Sequence, residues 1–335
     1  MVKFCIGIDF SKKTFDATVM EHGKLDGKGI HKVFKNSSQS VQELIQWVKG
    51  QTGVPDLGAF VFCGEHTGLY SEAVSDGLAE AGCFMWLENA LCIKRARGIA
   101  RGKSDKGDSR EIACYASRNL DKARRHAAPG ECLDAIRKLF MQRRFLVEQR
   151  CALRKRSKEM RGVSKGNKAL AVSFRADNRL DAAYQSEISS IEKEIKRLIS
   201  SSEELSVTYR ILTSMKGISF VNAVALIVYT LNFEKFGHDA RRIATYWGVA
   251  PFGRDSGTTL HATPHVSHYA DKYLKSLLSE AALCAMRFCP TIKRYADRLL
   301  ARGKHPNIVR NNVKNKMLHI LVAMVRNGEC FREAA

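Results

Sequence analysis

Three stretches with strand character follow one another before the first helical pattern of the chain. Residues 3–10 and 14–20 are β-rich, and the three residues between them have the length of a hairpin connection. A third strand fits residues 29–35. Residues 40–49 then carry apolar side chains at helical spacing, and residues 59–63 form a short apolar run typical of a buried strand. This order of elements leaves few folds open.

The alternation of helices and strands continues along the chain. The pattern predicts a helix over residues 69–81, a strand over 83–87, and one or two helices over 94–125 with an interruption near Gly102. Three consecutive strands followed by alternating helices and strands predict a mixed sheet with helices on its faces. We therefore expect an α/β fold of the ribonuclease H-like kind.

Two long helical patterns occupy the middle of the chain. Between residues 133 and 160, leucine or methionine recurs every seven positions, at Leu139, Leu146, Leu153 and Met160. The second series consists of Tyr184, Ile188, Ile191, Ile195, Leu198 and Leu205. Joined across polar residues 162–178, the two predict an antiparallel hairpin or coiled-coil arm. Such an arm either makes a dimer contact or spaces two domains, and the pattern is compatible with both.

The composition changes again from residue 208 onward. Apolar helical runs at 221–231 and 274–286 flank a stretch at 248–268 that is rich in Gly, Ser, Thr and His. We expect a third, mainly helical domain with one functional loop. The length of 335 residues allows two or three domains of ordinary size.

The balance of charge calls for an anionic partner. The chain has 55 Lys and Arg against 34 Asp and Glu, a formal net charge of +21. The basic residues concentrate in three tracts, at 89–125, 134–168 and 293–326. A single basic tract is usually a solvated helix face, but three with a large net charge favour nucleic acid. Contacts of this kind bind phosphates and carry no sequence information.

Membrane insertion and secretion are not expected. The longest apolar runs fall short of the ~18 uninterrupted residues that a bilayer span needs, and Asp9 stands where a signal peptide would have its apolar core. The ten cysteines include no CxxC pair, so we expect reduced thiols rather than disulfides or zinc ligands. These features favour a bacterial cytoplasm.

Four acidic residues have the placement of a catalytic group. Asp9 ends one apolar strand and Glu65 follows another, while Asp105 and Asp108 lie at i and i+3 on one helical face. Such acids, if close together, would hold a pair of Mg²⁺ ions, with Mn²⁺ as a substitute, and so support phosphodiester chemistry. The alternative for Asp105 and Asp108 is capping of a helix N-terminus, which also favours acids.

Six motifs together resemble one family, the DEDD transposases of bacterial insertion sequences, a group that also contains the Piv-type DNA invertases. They are GID at 7–9 followed by Lys13 and Asp16, GEHTGLY at 64–70, KSDKGD at 103–108, MKGI at 215–218, YWGVAP at 246–251 and RDSGTT at 254–259. The resemblance thus covers nearly the whole chain. It implies a RuvC-like catalytic domain over 1–128, a coiled-coil helical hairpin over 129–206 and a C-terminal transposase domain over 207–335.

The resemblance also implies a chemistry and a set of partners. The acids Asp9, Glu65, Asp105 and Asp108 would act with a nucleophilic serine, Ser256, contributed by a partner protomer. The partners would be double-stranded donor and target DNA, further copies of the chain in a dimer or tetramer, and a structured guide RNA, the bridge RNA, that pairs with both DNAs.

Taken alone, Ser256 between Asp255 and Gly257 is a typical turn residue. Arg254 either stabilises charge on a phosphate or only positions the DNA backbone. Lys216 lies in the segment 215–219, which precedes an apolar helix and resembles the turn of a helix-hairpin-helix, in which backbone amides hold a phosphate. Further candidates for nucleic-acid contact in the first basic tract are Arg101, Lys103 and Lys106. We assign no metal to His261, His265 and His268, since Pro264 interrupts any helix that would align them.

Three alternative functions remain compatible with the residues. A metal-dependent endonuclease or junction resolvase would use water in place of Ser256. An actin-like or sugar-kinase fold is suggested by GIDFSKKTFD at 7–16, although a second Gly-rich phosphate loop is missing. A nucleic-acid-binding module would need the acids only for structure.

Overall fold

The computed structural model of the chain describes residues 2–25, 27, 29–96, 105–164, 166–256, 260–266 and 270–333. The chain forms two compact units, Met1–Pro129 and Gly130–Ala335. Within the described residues, no helix combines the length and the apolar character needed to cross a membrane.

A five-stranded mixed sheet forms the centre of the first unit. Its strands are β1 (Phe4–Phe10), β2 (Thr14–Glu21), β3 (Ile30–Lys35), β4 (Phe60–Glu65) and β5 (Phe84–Glu88). Their order in the sheet is β3-β2-β1-β4-β5. β2 is antiparallel to β1 and β3, whereas β1, β4 and β5 run parallel. The hairpin of β1 and β2 forms as predicted, and the topology confirms the RuvC-like, ribonuclease H-like fold class.

Helices cover both faces of this sheet. The helices are α1 (Ser40–Thr52), α2 (Leu69–Glu80), α3 (Ala90–Ala96) and α4 (Asp105–Arg118), with short 3-10 turns at Leu57–Ala59 and Leu120–Lys122. Leu44 of α1 and Leu78 of α2 pack with Ile6 and Ile8 of β1 on one face. Ile112 and other residues of α4 pack against the opposite face. The predicted interruption near Gly102 lies outside the described residues.

The second unit begins with the predicted helical hairpin. Its helices are α5 (Glu131–Val163) and α6 (Ala171–Ser201). Ion pairs from Arg143 to Glu192 and from Arg150 to Asp181 join them, and residue numbers that rise on one helix while falling on the other show that the helices are antiparallel. The polar segment 162–178 was expected to be a linker, but α6 already starts at Ala171. The first turns of α6 are polar in sequence, yet one of their polar residues, Asp177, is buried and forms an ion pair of 2.6 Å with an arginine of α5.

The rest of the second unit is mainly helical, as expected. Its helices are α7 (Glu203–Thr213), α8 (Phe220–Thr230), α9 (Ala240–Tyr246), α10 (Lys272–Phe288), α11 (Pro290–Ala301) and α12 (Pro306–Asn327), with a short 3-10 turn at Glu234–Phe236. α8 is almost completely buried, in agreement with its apolar sequence. The segment 248–268 departs from the expected loop, because it contains the hairpin of β6 (Pro251–Ser256) and β7 (Leu260–Val266). The two strands pair with each other in a two-stranded sheet. The Gly, Ser, Thr and His content of the segment did not indicate strands.

Candidate active site

Four acidic residues lie side by side across the sheet of the first unit. Asp16 of β2 is the register partner of Asp9 of β1, and Glu65 of β4 is the register partner of Glu88 of β5. The last register pair between the parallel strands β1 and β4 is Ile8 with Gly64, and Asp9 and Glu65 are the next residue on each strand. The four acids therefore form a continuous row over four strands at the carboxyl ends of β1, β4 and β5. We call Asp16, Asp9, Glu65 and Glu88 the acidic row.

The acidic row faces α4. Side chains alternate between the two faces of a strand, so residues two positions apart share a face. Two positions before Glu65 and Glu88, Cys63 and Trp86 are buried in the cluster that includes Tyr115 of α4. Two positions after Asp16, the hydroxyl of Thr18 lies 2.8 Å from the hydroxyl of Ser109 of α4. The acids therefore stand on the side of the sheet that α4 covers.

Gly7 allows α4 to lie directly on β1. A Cβ atom at this position would be 2.0 Å from the carbonyl oxygen of Ser109 and 2.3 Å from the amide nitrogen of Ala113. No side chain fits there, because both neighbours are backbone atoms of the helix. The close contact fixes the Ser109–Ala113 part of α4 relative to the strand that carries Asp9.

The direction of α4 brings its N-terminal acids toward the acidic row. Near the end of α4, Ser117 lies 3.0 Å from the ring nitrogen of His22, which is beside the start of β1. Ser109 lies further along β1, over Gly7, so α4 runs antiparallel to β1. Asp108, the residue before Ser109, and Asp105, the first residue of α4, continue in this direction. The backbone thus brings all four predicted acids to one end of the sheet.

Protein donors hold the two outer members of the acidic row. The Glu88 carboxylate accepts hydrogen bonds from the Tyr115 hydroxyl at 3.0 Å and from the Asn89 amide at 2.7 Å. Burial and the adjacent Glu88 carboxylate raise the pKa of Tyr115 well above its ordinary value. At the other end, Asp16 is buried and its Oδ1 lies 2.6 Å from Nε2 of His31. These contacts fix the flanks of the row.

The inner acids have the chemistry of a divalent cation site. Asp9, Glu65 and Asp108 are each half-buried, and carboxylate oxygens are the ligands that Mg²⁺ prefers. Neighbouring strands are about 4.8 Å apart, so ionised carboxylates on adjacent strands repel unless a cation lies between them. Among the side chains that the structure describes, no three His, Cys, Asp or Glu groups already form a metal cluster. The side chain of Asp105 is outside this description.

Sequence reasoning missed Glu88 as part of this arrangement. The signal was present, because Glu88 follows the apolar run FMWL much as Glu65 follows FVFCG. Asp16 was noted only as part of a motif. What the sequence lacked was the register, which makes these two residues the neighbours of Glu65 and Asp9.

The second unit carries the predicted serine on the hairpin of β6 and β7. Ser256 is the last residue of β6, and Arg254 on the same strand pairs with Ala262 of β7. The side chains of Ser256 and Arg254 are outside the described part. Asn311 of α12 donates a hydrogen bond of 3.0 Å to the carbonyl of Val249 and so anchors the backbone just before β6.

The predicted basic contacts have different surroundings. Lys106 is exposed in the first turn of α4, whereas Arg101 and Lys103 fall outside the described residues. Lys216 is exposed and forms an ion pair of 2.9 Å with Glu333, which raises its pKa. Of the three histidines, His261 and His265 are in β7 and His268 is outside the described residues.

Two family models match the chain. Residues 6–160 match the model of the IS110 DEDD transposase, described as a transposase, and residues 209–297 match the transposase model of the IS116/IS110/IS902 family.

The similar proteins match between about a third and nearly all of the chain. The pilin gene-inverting proteins of Moraxella lacunata and Moraxella bovis are each 25% identical over 335 residues, covering 99% of this chain and 98% of theirs. An uncharacterized 43.6 kDa protein of insertion element IS110 from Streptomyces coelicolor is 31% identical over 118 residues, which are 35% of this chain and 29% of that protein.

Two solved structures of Thermus thermophilus RuvC align with part of the chain. RuvC alone is 16% identical with a TM-score of 0.27, and RuvC in complex with a Holliday junction substrate is 14% identical with a TM-score of 0.26. Each alignment covers 37% of this chain and 99% of RuvC.

Proposed function

The chain belongs to the IS110 family of transposases and DNA invertases, a class of DNA recombinases, and we propose that its acids and Ser256 together cut and rejoin DNA strands. In this proposal Asp9, Glu65, Asp105 and Asp108 form the metal-dependent half of the site. The observation that carries the proposal is the acidic row, on the face of the sheet where Gly7 lets α4 lie directly on β1.

The donor set of the site fits Mg²⁺, because it consists of carboxylates on adjacent strands and on the first turn of one helix. Asp9, Glu65, Asp105 and Asp108 would hold two Mg²⁺ ions, or Mn²⁺ in their place. Bound there, the cations would offset the repulsion between the carboxylates and the negative charge that develops on the phosphodiester. Glu88 and Asp16 flank these acids at the two ends of the acidic row, where Tyr115 and His31 hold their carboxylates.

Ser256, from a neighbouring protomer, is the proposed nucleophile. Its Oγ forms a bond to phosphorus while the bond from phosphorus to the oxygen of the departing strand breaks. The serine proton passes to a base, and the departing oxygen takes up a proton. The phosphodiester energy is thereby kept in the phosphoserine, so the strand can be joined to a second duplex. Arg254 binds the phosphate through its guanidinium group.

The formal charge of +21 supports double-stranded DNA, donor and target, as the substrate. We further propose that a structured bridge RNA guides the choice of these DNAs and that the protein works as a dimer or tetramer. A site-specific DNA invertase that needs no RNA is the second candidate. It is favoured by the similarity, over nearly the whole length, to the pilin gene-inverting proteins.

The covalent intermediate provides the test of the nucleophile. With labelled DNA and Mg²⁺, the wild-type protein should form an adduct that survives denaturing electrophoresis. Ser256→Ala should abolish the adduct and keep DNA binding, whereas Thr258→Ala, a neighbouring hydroxyl, should still form it. An undiminished adduct in Ser256→Ala would overturn the assignment.

A nuclease that uses water would give a different pattern. In that case wild-type protein cleaves DNA with no adduct at any stage, and Asp9→Asn removes the cleavage. If Asp105→Asn and Asp108→Asn leave Mg²⁺-dependent recombination unchanged, the acids are only structural.

Sequencing of copurified nucleic acid separates the guided recombinase from the plain invertase. A discrete structured RNA that is required for recombination supports guidance. Full recombination after complete removal of RNA supports the invertase.

A further inference from the structure

Lys314 is a buried cation in the second unit. Only 8% of the residue is exposed, between α10 and α12. Its ammonium group donates a hydrogen bond of 3.1 Å to the hydroxyl of Ser279. That hydroxyl donates in turn to the carbonyl of Lys275 at 2.8 Å, so it is the acceptor in its contact with Lys314. The neutral hydroxyl accepts one hydrogen bond from the ammonium group but does not neutralise its positive charge.

The charged groups that shift the pKa of Lys314 are cations. Burial lowers this pKa first, and Lys275 and Arg310 lower it further. Lys275 precedes Ser279 by four residues on α10, and Arg310 precedes Lys314 by four residues on α12, so each pair shares a helix face. Because Lys314 contacts Ser279, Lys275 and Arg310 lie on the facing sides of α10 and α12, one turn away from that contact. A buried cation beside like charges is costly unless an anion joins it.

The donors in this cluster suit an oxyanion. An ammonium group has three N–H donors, of which Lys314 uses one on Ser279. Lys275 is half-buried, and Arg310 is exposed at the rim with a fork of donors that matches phosphate oxygens. The three cations thus range from an exposed guanidinium to a buried ammonium that a neutral hydroxyl holds in place.

We propose that Lys275, Arg310 and Lys314 bind one backbone phosphate of the DNA strand that reaches the hairpin of β6 and β7. DNA is favoured over other phosphates by the position of Asn311, which follows Arg310 on α12 and anchors Val249 just before β6. β6 has six residues and spans about 20 Å, a length that a single DNA strand covers in about six nucleotides, so a strand held beside Asn311 would pass along the hairpin toward Ser256. The inference rests on the proposed function, because it assigns the strand that Ser256 attacks.

Binding measurements on the 335-residue chain test the site without requiring cleavage. The probe is a fluorescein-labelled DNA duplex of about 30 base pairs and mixed sequence, with an RNA duplex of the same length beside it. Lys314→Met should weaken DNA binding about ten-fold near physiological salt and lower the slope of log affinity against log salt by about one. Lys316→Met removes the same charge from an exposed position of α12 and should stay within about two-fold of wild type.

Stability separates a binding role from a structural role. Lys314→Met removes a buried charge, so its melting temperature should equal or exceed that of wild type. Arg310 is exposed, so Arg310→Gln leaves the contact of Lys314 with Ser279 intact. This variant tests phosphate binding if Lys314→Met does not fold. It should weaken DNA binding about five-fold.

Several results would overturn the inference. They are unchanged DNA affinity in both variants, an equal loss in Lys316→Met, or a loss confined to the RNA duplex. A wild-type protein that binds no DNA at all would instead remove the proposed function itself. Wild-type binding together with unaffected variants contradicts only the phosphate site.

Discussion

Replacement of Gly7 by alanine should separate α4 from β1. The added Cβ would stand 2.0 Å from the carbonyl oxygen of Ser109 and 2.3 Å from the amide of Ala113, whereas real Cβ contacts are essentially never under 3.0 Å. The strand and the helix must therefore move apart by about 1 Å or more. Because both neighbours are backbone atoms, no side-chain rotation can relieve the clash.

Two effects of this displacement can be estimated. Overpacking of this kind costs about 1–3 kcal/mol of unfolding free energy. A shift of about 1 Å between Asp9 and Asp108 should also slow DNA cleavage about 100-fold, since catalytic groups tolerate little displacement. Most DNA binding should be retained, because two of the three basic tracts, at 134–168 and 293–326, lie in the second unit.

The assay combines chemical unfolding with Mg²⁺-dependent cleavage and with DNA binding. Gly50→Ala is the matched control, because Gly50 lies in α1 of the same unit and a Cβ there meets nothing within 4 Å. That variant should cleave normally and gain about 0.5–1 kcal/mol in stability. Wild-type stability and cleavage in Gly7→Ala would refute the close seating of α4 on β1 and the convergence of acids that depends on it.

Three further predictions concern contacts on which the two units depend. Tyr115→Phe removes a hydrogen-bond donor from the Glu88 carboxylate and should lower the unfolding free energy by about 1–2 kcal/mol, and an unchanged urea midpoint would contradict this. Gly217→Ala places a Cβ 2.6 Å from a backbone carbonyl of α10 at a φ of +100°, so thermal melting should show a lower midpoint than wild type. Two arginines of α5 hold the pKa of Asp181 well below its usual range, so its contribution to stability is full above pH about 3.9 and declines as the pH falls below that value. Asp181→Asn should therefore reduce thermal stability at pH 7, and its difference from wild type, followed by circular dichroism, should narrow in acid.

Local patterns in the sequence were enough to predict much of the first unit. Strand character and short turns predicted β1, β2 and the hairpin between them, and apolar runs predicted the strands after them. Heptad spacing predicted α5 and its antiparallel pairing with α6. These features are set by side chains within one element or its neighbour, which a single sequence displays.

Features that depend on register or on distant contacts were missed. Glu88 and Asp16 join the acidic row only because of how their strands align. The early start of α6 depends on the ion pair of Asp177 with a helix more than twenty residues away. The hairpin of β6 and β7 is held by pairing of the strands with each other, which their composition did not indicate. The division between the helical arm and the C-terminal domain, at residues 206 and 207, stays a prediction.

The binding of metal by the acidic row tests the central claim most directly. Crystals of the 335-residue chain soaked in Mn²⁺ should give an anomalous difference peak at the carboxyl ends of β1 and β4, about 2.1 Å from carboxylate oxygens of Asp9 and Glu65. Asp9→Asn crystals under the same conditions should show a much weaker peak. Strong Mn²⁺ peaks elsewhere on the protein, with none between these two carboxylates, would contradict the account.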